Sequence, residues 1–278
     1  MMFARMEMPY ENLYIYYING KVAADRKLFG NGFVGNWQEE DCAFLFFAEP
    51  ADERVESILA KSDGLKIKDR FLMSYADWIG GAPDAFTAGD FRIVPPWLVS
   101  TEKQCCQNTI LLDPGVVFGS GTHATTRDCI DALEFVFLNT RVSKTIDLGC
   151  GTGLLSLVVA RMGSEQTLAV DINHLAVETT RNNICHNDLT ARVLAVQGNA
   201  LDFITLEADL LVANIHYDVM KEIVCSEGFF RKKWFVLSGL LRSQVGPIEA
   251  SLRQSGAVIE HRMIGDGIWY TIVGRFSV

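Results

Sequence analysis

Asp147, Gly149, Gly151 and Gly153 stand at alternate positions, directly after an apolar run from Thr145 to Leu148 and directly before a helical pattern from Leu154 to Met162. Glycines at that spacing let a backbone turn tightly and approach a ligand closely. A helix that starts there offers free amide groups. Ligands of open α/β sheets bind at this edge, beyond the carboxyl ends of the strands. A dinucleotide loop would read Gly-x-Gly-x-x-Gly, but here the third glycine comes one residue early and Leu154 holds its place. Asp171 ends the next expected strand, where a carboxylate can accept hydrogen bonds from both hydroxyls of a ribose. Capping the helix that follows is the other reading of this residue.

These residues need a scaffold, and the pattern after about Gln107 supplies one. Helical stretches are expected over Ala124 to Leu138, Leu154 to Met162, His174 to His186, Tyr217 to Phe229 and Ser243 to Gln254. Strands are expected over Thr145 to Leu148, Thr167 to Asp171, Arg192 to Gln197, Asp209 to Asn214 and Trp234 to Ser238. Two last strands, Val258 to Met263 and Ile268 to Gly274, meet at a turn around Asp266-Gly267. Strands alternating with helices of this length imply an α/β fold. We expect a Rossmann-like, mainly parallel sheet closed by a C-terminal antiparallel hairpin.

Residues 1–78 read as a small α+β domain with one covered sheet face. Strands are expected over Leu13 to Ile18 and Cys42 to Phe47, a helix from Asp52 to about Lys61, and an extended Leu65 to Tyr75. Gly30, Gly32 and Gly35 read as turn punctuation. Residues 79–106, with Gly80-Gly81, Pro83 and Pro95-Pro96, read as a linker, and residues 107–278 as the ligand-binding domain.

The net charge of −9 argues against a phosphate backbone as the main partner and fits a basic protein. No stretch approaches the length of a membrane span, and no signal peptide is read. The seven cysteines are scattered without a Cys-x-x-Cys pair, so no metal site or disulfide framework is expected, and a cytoplasmic location with reduced thiols follows.

The acidic-x-Gly-x-Gly-x-Gly spacing of Asp147 to Gly153 resembles the loop of the S-adenosylmethionine-dependent methyltransferases. The segment Leu112-Asp113-Pro114-Gly115-Val116-Val117-Phe118-Gly119-Ser120-Gly121-Thr122-His123-Ala124-Thr125-Thr126 is similar to one of the PrmA family, which methylates protein eleven of the large ribosomal subunit. Val212-Ala213-Asn214-Ile215, Leu237-Ser238-Gly239, Asp77-Trp78 and Pro95-Pro96-Trp97 resemble further stretches of that family, so the likeness runs from about Asp77 to Gly274. His216 departs from the apolar residue common after Asn-Ile.

The resemblance implies that Thr126, Gly149, Asp171 and Asn214 contact S-adenosylmethionine. Phe118, Gly119 and Gly121 would let their loop fold over it. Methyltransferases often place an acidic residue against the adenine amine at the end of the third strand; here Asn199 offers a carbonyl acceptor, with Asp202 the other candidate. His123 reads as a brace of its loop. In the related family a ferredoxin-like domain ahead of the cofactor domain docks the ribosomal protein, and residues 1–78 are expected to do the same.

The expected reaction is N-methylation of a protein amine, a lysine side chain or an N-terminal amine, of large-subunit ribosomal protein eleven. Such a reaction chiefly needs donor and acceptor aligned. A lysine amine with a pKa near 10.4 is protonated at neutral pH and has to lose a proton. Asn214 could accept an amine hydrogen bond, the Ile215 carbonyl likewise, and His216 and Tyr217 could line the acceptor pocket. The alternatives are a methyltransferase with another protein or small-molecule acceptor, a nicotinamide-dependent oxidoreductase, and a non-catalytic S-adenosylmethionine-binding module.

Overall fold

The computed structural model describes residues 7–22, 26–39, 41–62, 64–80, 84–99 and 108–277. Gly81, Pro83, Cys105, Cys106 and Gln107 therefore lie outside the described residues. The chain divides into two compact units, Met1–Pro83 and Asp84–Val278.

The first unit runs β1 (Asn12–Asn19), α1 (Arg26–Phe29), β2 (Phe33–Gln38), β3 (Cys42–Phe47), α2 (Asp52–Leu59), β4 (Ile67–Ser74) and α3 (Tyr75–Trp78). Its sheet has the order β2-β3-β1-β4 with every pairing antiparallel, the split βαββαβ arrangement of ferredoxin-like domains. Tyr16 and Ile18 of β1, Leu45 and Phe47 of β3, and Val55 and Leu59 of α2 share one core. The spacing of Val55 and Leu59 places both on one face of α2. Tyr16 ties the layers together: its hydroxyl accepts from the Ala51 amide at 2.8 Å and donates to Asp52 Oδ2 at 3.1 Å.

Two expectations need correcting. Gly30 and Gly32 do stand in a turn with left-handed backbone, but Gly35 does not: it lies inside β2 at a bulge after Phe33 and pairs with Phe46. The second sheet face is covered in part as well, since Leu13, Ile15 and Phe46 are buried there while Phe71 of β4 stays exposed. Trp78 packs edge-on against Phe46 there, with ring centres 5.2 Å apart.

The second unit opens with β5 (Phe86–Ala88), β6 (Phe91–Val94) and β7 (Thr109–Leu111), which form a three-stranded sheet. Residues 79–106 are thus not a plain linker, for two strands lie within them. Ala88, Phe91 and Ile93 are buried in the same core as Ile130 and Leu133, and that burial holds the hairpin to the unit.

There follow α4 (Ala124–Asn139), β8 (Lys144–Leu148), α5 (Leu154–Met162), β9 (Gln166–Asp171), α6 (His174–His186), β10 (Val193–Gln197), α7 (Ala200–Phe203), β11 (Leu210–Asn214), α8 (Tyr217–Ile223), β12 (Trp234–Leu241), α9 (Arg242–Gln254), β13 (Ala257–Gly265) and β14 (Trp269–Phe276). The helix α8 stops at Ile223 rather than Phe229, where the Ser226 hydroxyl bonds the Ile223 carbonyl at 2.7 Å.

The seven-stranded sheet has the order β10-β9-β8-β11-β12-β14-β13. Its first five strands are parallel, and β14 runs antiparallel to both neighbours. Helices α4, α5 and α6 bury Leu133, Leu157 and Val177 on one face. On the other face Ile223 of α8 and Leu252 of α9 pack with Phe229. Lys232 is buried at 1% exposure and donates to the carbonyls of Ile204 and Leu206, and burial draws its pKa down to about 8. The strand order reverses between β8 and β11, so a crevice opens at their carboxyl ends.

Two buried asparagines, Asn183 in α6 and Asn187 at its C-cap, anchor what precedes α4. Asn187 Oδ1 accepts from the Leu111 amide at 3.0 Å, and its Nδ2 donates to the Leu111 carbonyl at 2.7 Å. Asn183 Oδ1 accepts from the Asp113 amide at 2.8 Å, and its Nδ2 donates to the carbonyls of Asp113 and Thr152 at 2.8 and 2.9 Å. Asn183→Ala removes three hydrogen bonds to backbone groups and should destabilise the protein by on the order of 3 kcal/mol. Urea unfolding measures this; a loss below about 1 kcal/mol would show that other groups take over these bonds.

Candidate functional site

The strand ends meet at the crevice because the ladder is in register: Asp171 pairs with Gln197, and Asn214 with Ser238. The glycine loop leaves β8 by folding back over β9, as the amides of Gly149 and Cys150 donate to the Val170 carbonyl at 2.8 and 3.0 Å. Gly149, Gly151 and Gly153 have φ of 74°, 55° and 81°, which disfavours any other residue. Space enforces the same choice. A Cβ on Gly149 would lie 2.1 Å from Ile215, one on Gly151 2.3 Å from the Phe118 carbonyl oxygen, and one on Gly153 2.6 Å from Thr180. The loop is thus closed in by the chain's own segments at each glycine.

The two carboxylates beside the loop have different environments. Asp147 is 1% exposed, and it accepts from the Ser156 hydroxyl at 2.6 Å. It braces the loop against α5 and is not open to a ligand, which corrects the expectation that it binds one. Burial pushes its carboxyl up to about 6. Asp171 lies at the strand end, where Oδ2 accepts from the Gly151 amide at 3.0 Å and Oδ1 from the Asn173 amide at 2.9 Å. Burial raises its pKa, and these amide hydrogen bonds oppose the rise. Two carboxylate oxygens have about four acceptor positions, so capacity remains for a ligand's hydroxyls. Asn173 itself caps α6, accepting from the Leu175 amide at 2.9 Å.

The segment from Asp113 to His123 lies on this loop. Thr152 Oγ1 donates to the Gly119 carbonyl at 2.6 Å, and a Cβ on Gly121 would lie 2.7 Å from Leu154 and Phe86. Phe118 is 58% exposed, with its ring edge-on to His123 at 5.8 Å. The other neighbour of His123 is Trp269 of β14, at 5.2 Å. His123 caps α4, accepting from the Thr125 amide at Nδ1. Thr125 Oγ1 lies 2.9 Å from the same nitrogen and accepts from Asn214 Nδ2 at 3.2 Å. Thr126 is 2% exposed, and its hydroxyl is one of the buried polar atoms without a partner among the described residues.

Gly149, Gly151, Gly153, Asp171, Phe118, Gly119 and Asn214 lie on the loops and strand ends that border the crevice, Thr126 in the first turn of α4, and Asn199 next to Gly198, whose amide donates to the Asp171 carbonyl at 2.9 Å. Asn199 is exposed and spends its carbonyl oxygen on the Leu201 amide at 3.0 Å, capping α7. The His216 ring is 78% exposed and 3.4 Å from Asp218, and no hydrogen bond among the described residues joins it to Asn214. Sequence reasoning missed Thr125, Trp269 and Ile172, an apolar side chain 71% exposed directly after Asp171. The apolar type at a strand end was the available signal for Ile172. Trp269 had none, because only the fold brings it to His123.

A cavity of about 560 Å³ opens at the opposite, amino-terminal ends of β8, β9 and β10, lined by Lys144, Gln166 and Leu194 among others. It holds none of the expected residues. Among the described residues no cluster could hold a metal ion, Cys42, Cys129, Cys150, Cys185 and Cys225 are unpaired, and no helix is long and apolar enough to cross a membrane.

A seven-stranded sheet with one antiparallel strand, a glycine loop after its first parallel strand and an acid after its second defines the Rossmann-like methyltransferase class. The model of the ribosomal protein L11 methyltransferase (PrmA) family matches residues 45–277, and the chain belongs to that family. Similar curated relatives are ribosomal protein L11 methyltransferases of Clostridium botulinum (strain Eklund 17B / Type B), 36% identical over 174 residues, and Bacillus pumilus (strain SAFR-032), 35% over 189. The matches cover 60% and 66% of this chain but 53% and 59% of those proteins, so the chain spans little more than half of their length. Among solved structures, a ribosomal protein L11 methylase from Lactobacillus delbrueckii subsp. bulgaricus shares the fold, with a TM-score of 0.59 at 24% identity over 68% of this chain and 96% of that one.

The folded-state pKa of Asp147 lies above its ordinary value near 3.8. Its protonated form is thus favoured by folding. That contribution is complete below about pH 4 and lost as pH rises through about 6. Wild type should therefore lose up to about 3 kcal/mol relative to Asp147→Asn between pH 4 and 7. Urea unfolding of both proteins across that range is the measurement, and a constant gap would contradict it.

Proposed function

We propose that this protein is an S-adenosylmethionine-dependent N-methyltransferase that methylates an amine of ribosomal protein L11, on a lysine side chain or at its N-terminus. The observation that carries the reading is the crevice itself. Asp171 has acceptor capacity left, Thr126 has a buried hydroxyl without a partner among the described residues, and Ile172 and Phe118 expose apolar surface. A ribose, a polar amino-acid tail and an aromatic base need those groups, so the residues fit the cofactor. Bound there, S-adenosylmethionine supplies a methyl group on a sulfonium whose departure leaves a neutral thioether.

The chain's own residues then have few tasks. Gly149 and Gly151 keep the loop backbone close to the ligand, Asp171 holds the ribose, and the Asp113 to His123 segment limits water. Asn214 receives the amine through its side-chain oxygen, and its partner carbonyl at Ile215 stands beside it. The exposed His216 is a contact for the acceptor chain at the rim. A net charge of −9 suits a basic protein acceptor. The same reading places the protein in the cytoplasm, where ribosomal proteins are made.

The decisive experiment offers purified ribosomal protein L11 and isotopically labelled S-adenosylmethionine, with mass spectrometry locating the methyl groups. Titration with NAD runs in parallel. Binding of NAD instead would overturn the class, and labelling of a different protein would overturn the acceptor. Asp171→Ala should weaken S-adenosylmethionine binding by about 1.5–3 kcal/mol by calorimetry, since a charge-assisted acceptor is lost and the Gly151 amide loses its partner. An unchanged affinity would remove Asp171 from the site.

The first unit is proposed to dock the ribosomal protein. A chain starting at Asp84 keeps β5 and with it the pairing of β6. It should bind S-adenosylmethionine with near-native affinity and lose activity on L11, because a tethered docking site raises the effective concentration of the amine. Equal activity in a folded truncation would rule the unit out as a docking domain.

A further inference from the structure

The side chain of Asn214 is an amide, and whether it offers an acceptor or a donor to the crevice depends on which way it is turned. One backbone group settles the direction. The Thr125 amide donates to His123 Nδ1 at 3.3 Å, and an amide N–H can only donate. Nδ1 is therefore unprotonated, and the neutral ring carries its proton on Nε2. The Thr125 hydroxyl, 2.9 Å from that nitrogen, then shares the nitrogen's one lone pair with the amide and is the nearer of the two donors. Its oxygen is left to accept, and the atom of Asn214 at 3.2 Å must be Nδ2.

Oδ1 is left for the other side. A Cβ on Gly239 would stand 3.2 Å from Asn214 Oδ1 and 2.9 Å from the Ile215 carbonyl oxygen. Two acceptors thus border a backbone position that has no side chain. The Phe118 and Trp269 rings, edge-on to His123 at 5.8 and 5.2 Å, hold its plane. Were the proton on Nδ1, the Thr125 amide would lose its acceptor and the hydroxyl hydrogen would be released, so Oγ1 could donate to Asn214 as readily as accept from it. The direction of the Asn214 amide would then no longer be fixed, and NH2 could face an amine that brings donors of its own.

We infer that His123 is a positioning residue which, through Thr125, fixes Asn214 as a hydrogen-bond acceptor for the N–H of the incoming amine. This rests on the amine-methylation reading, and the test separates the two. In full-length protein labelled with ¹⁵N-histidine, with His123→Phe assigning the signals, His123 should show a protonated Nε2 and a bare Nδ1 at neutral pH. A protonated Nδ1 overturns the inference whatever the activity.

Kinetics on L11 give the second readout. Thr125→Val should lower kcat by about tenfold or more, while the S-adenosylmethionine Kd moves less than about threefold. Thr125→Ser should restore most of the rate. His123→Asn, which keeps an acceptor near the Nδ1 position, should retain more activity than His123→Phe. Unchanged kcat in folded Thr125→Val overturns the relay, and if that variant does not fold, the wild-type histidine spectrum decides. Wild type that binds S-adenosylmethionine but methylates no amine overturns the earlier reading and the purpose of the relay, while the tautomer still reports its direction.

Discussion

The second unit depends on the docking of its Asp113 to His123 segment onto the glycine loop. Neither piece is regular structure, so neither satisfies its own backbone groups. Asn183 supplies the missing partners from α6 and bonds both pieces at once, through the carbonyls of Asp113 and Thr152. Thr152 returns a bond to the Gly119 carbonyl. The close approach this requires is why Gly151, facing the Phe118 carbonyl oxygen, has no room for a side chain. A ligand at the strand ends would therefore meet a wall already built, with little left to order on binding.

The same docking sorts the polar groups. Asp147 is drawn into the interior, paid for by the Ser156 hydroxyl, and becomes a structural group with a raised pKa. Asp171, one strand over, keeps its carboxylate at the edge and shares it with the loop amide of Gly151. Two acids at equivalent-looking places beside one loop thus have unlike roles, because one packs under α5 and the other ends a strand at the crevice.

Much of the unit was legible in the sequence. The alternation of strand and helix patterns located α5 (Leu154–Met162) and α6 (His174–His186) at their observed ends, because apolar periodicity reports burial within a single element. The turn residues misled at Gly35 and at Pro95-Pro96. There glycine marks a bulge and proline follows a strand, and residue type alone does not separate those uses from loops.

The sequence by itself determined the class of sheet, the glycine loop with its left-handed backbone, the strand-end acid and the family. Each of these is written in neighbouring residues. Only the tertiary structure decided which side chains converge. Thr125 and Asn214 are 89 positions apart, and Trp269 reaches His123 from the last strand. Their meeting depends on β11 lying next to β12, and on β14 running back beside β12. Strand order is a property of how the whole core packs, and spacing along the chain does not encode it.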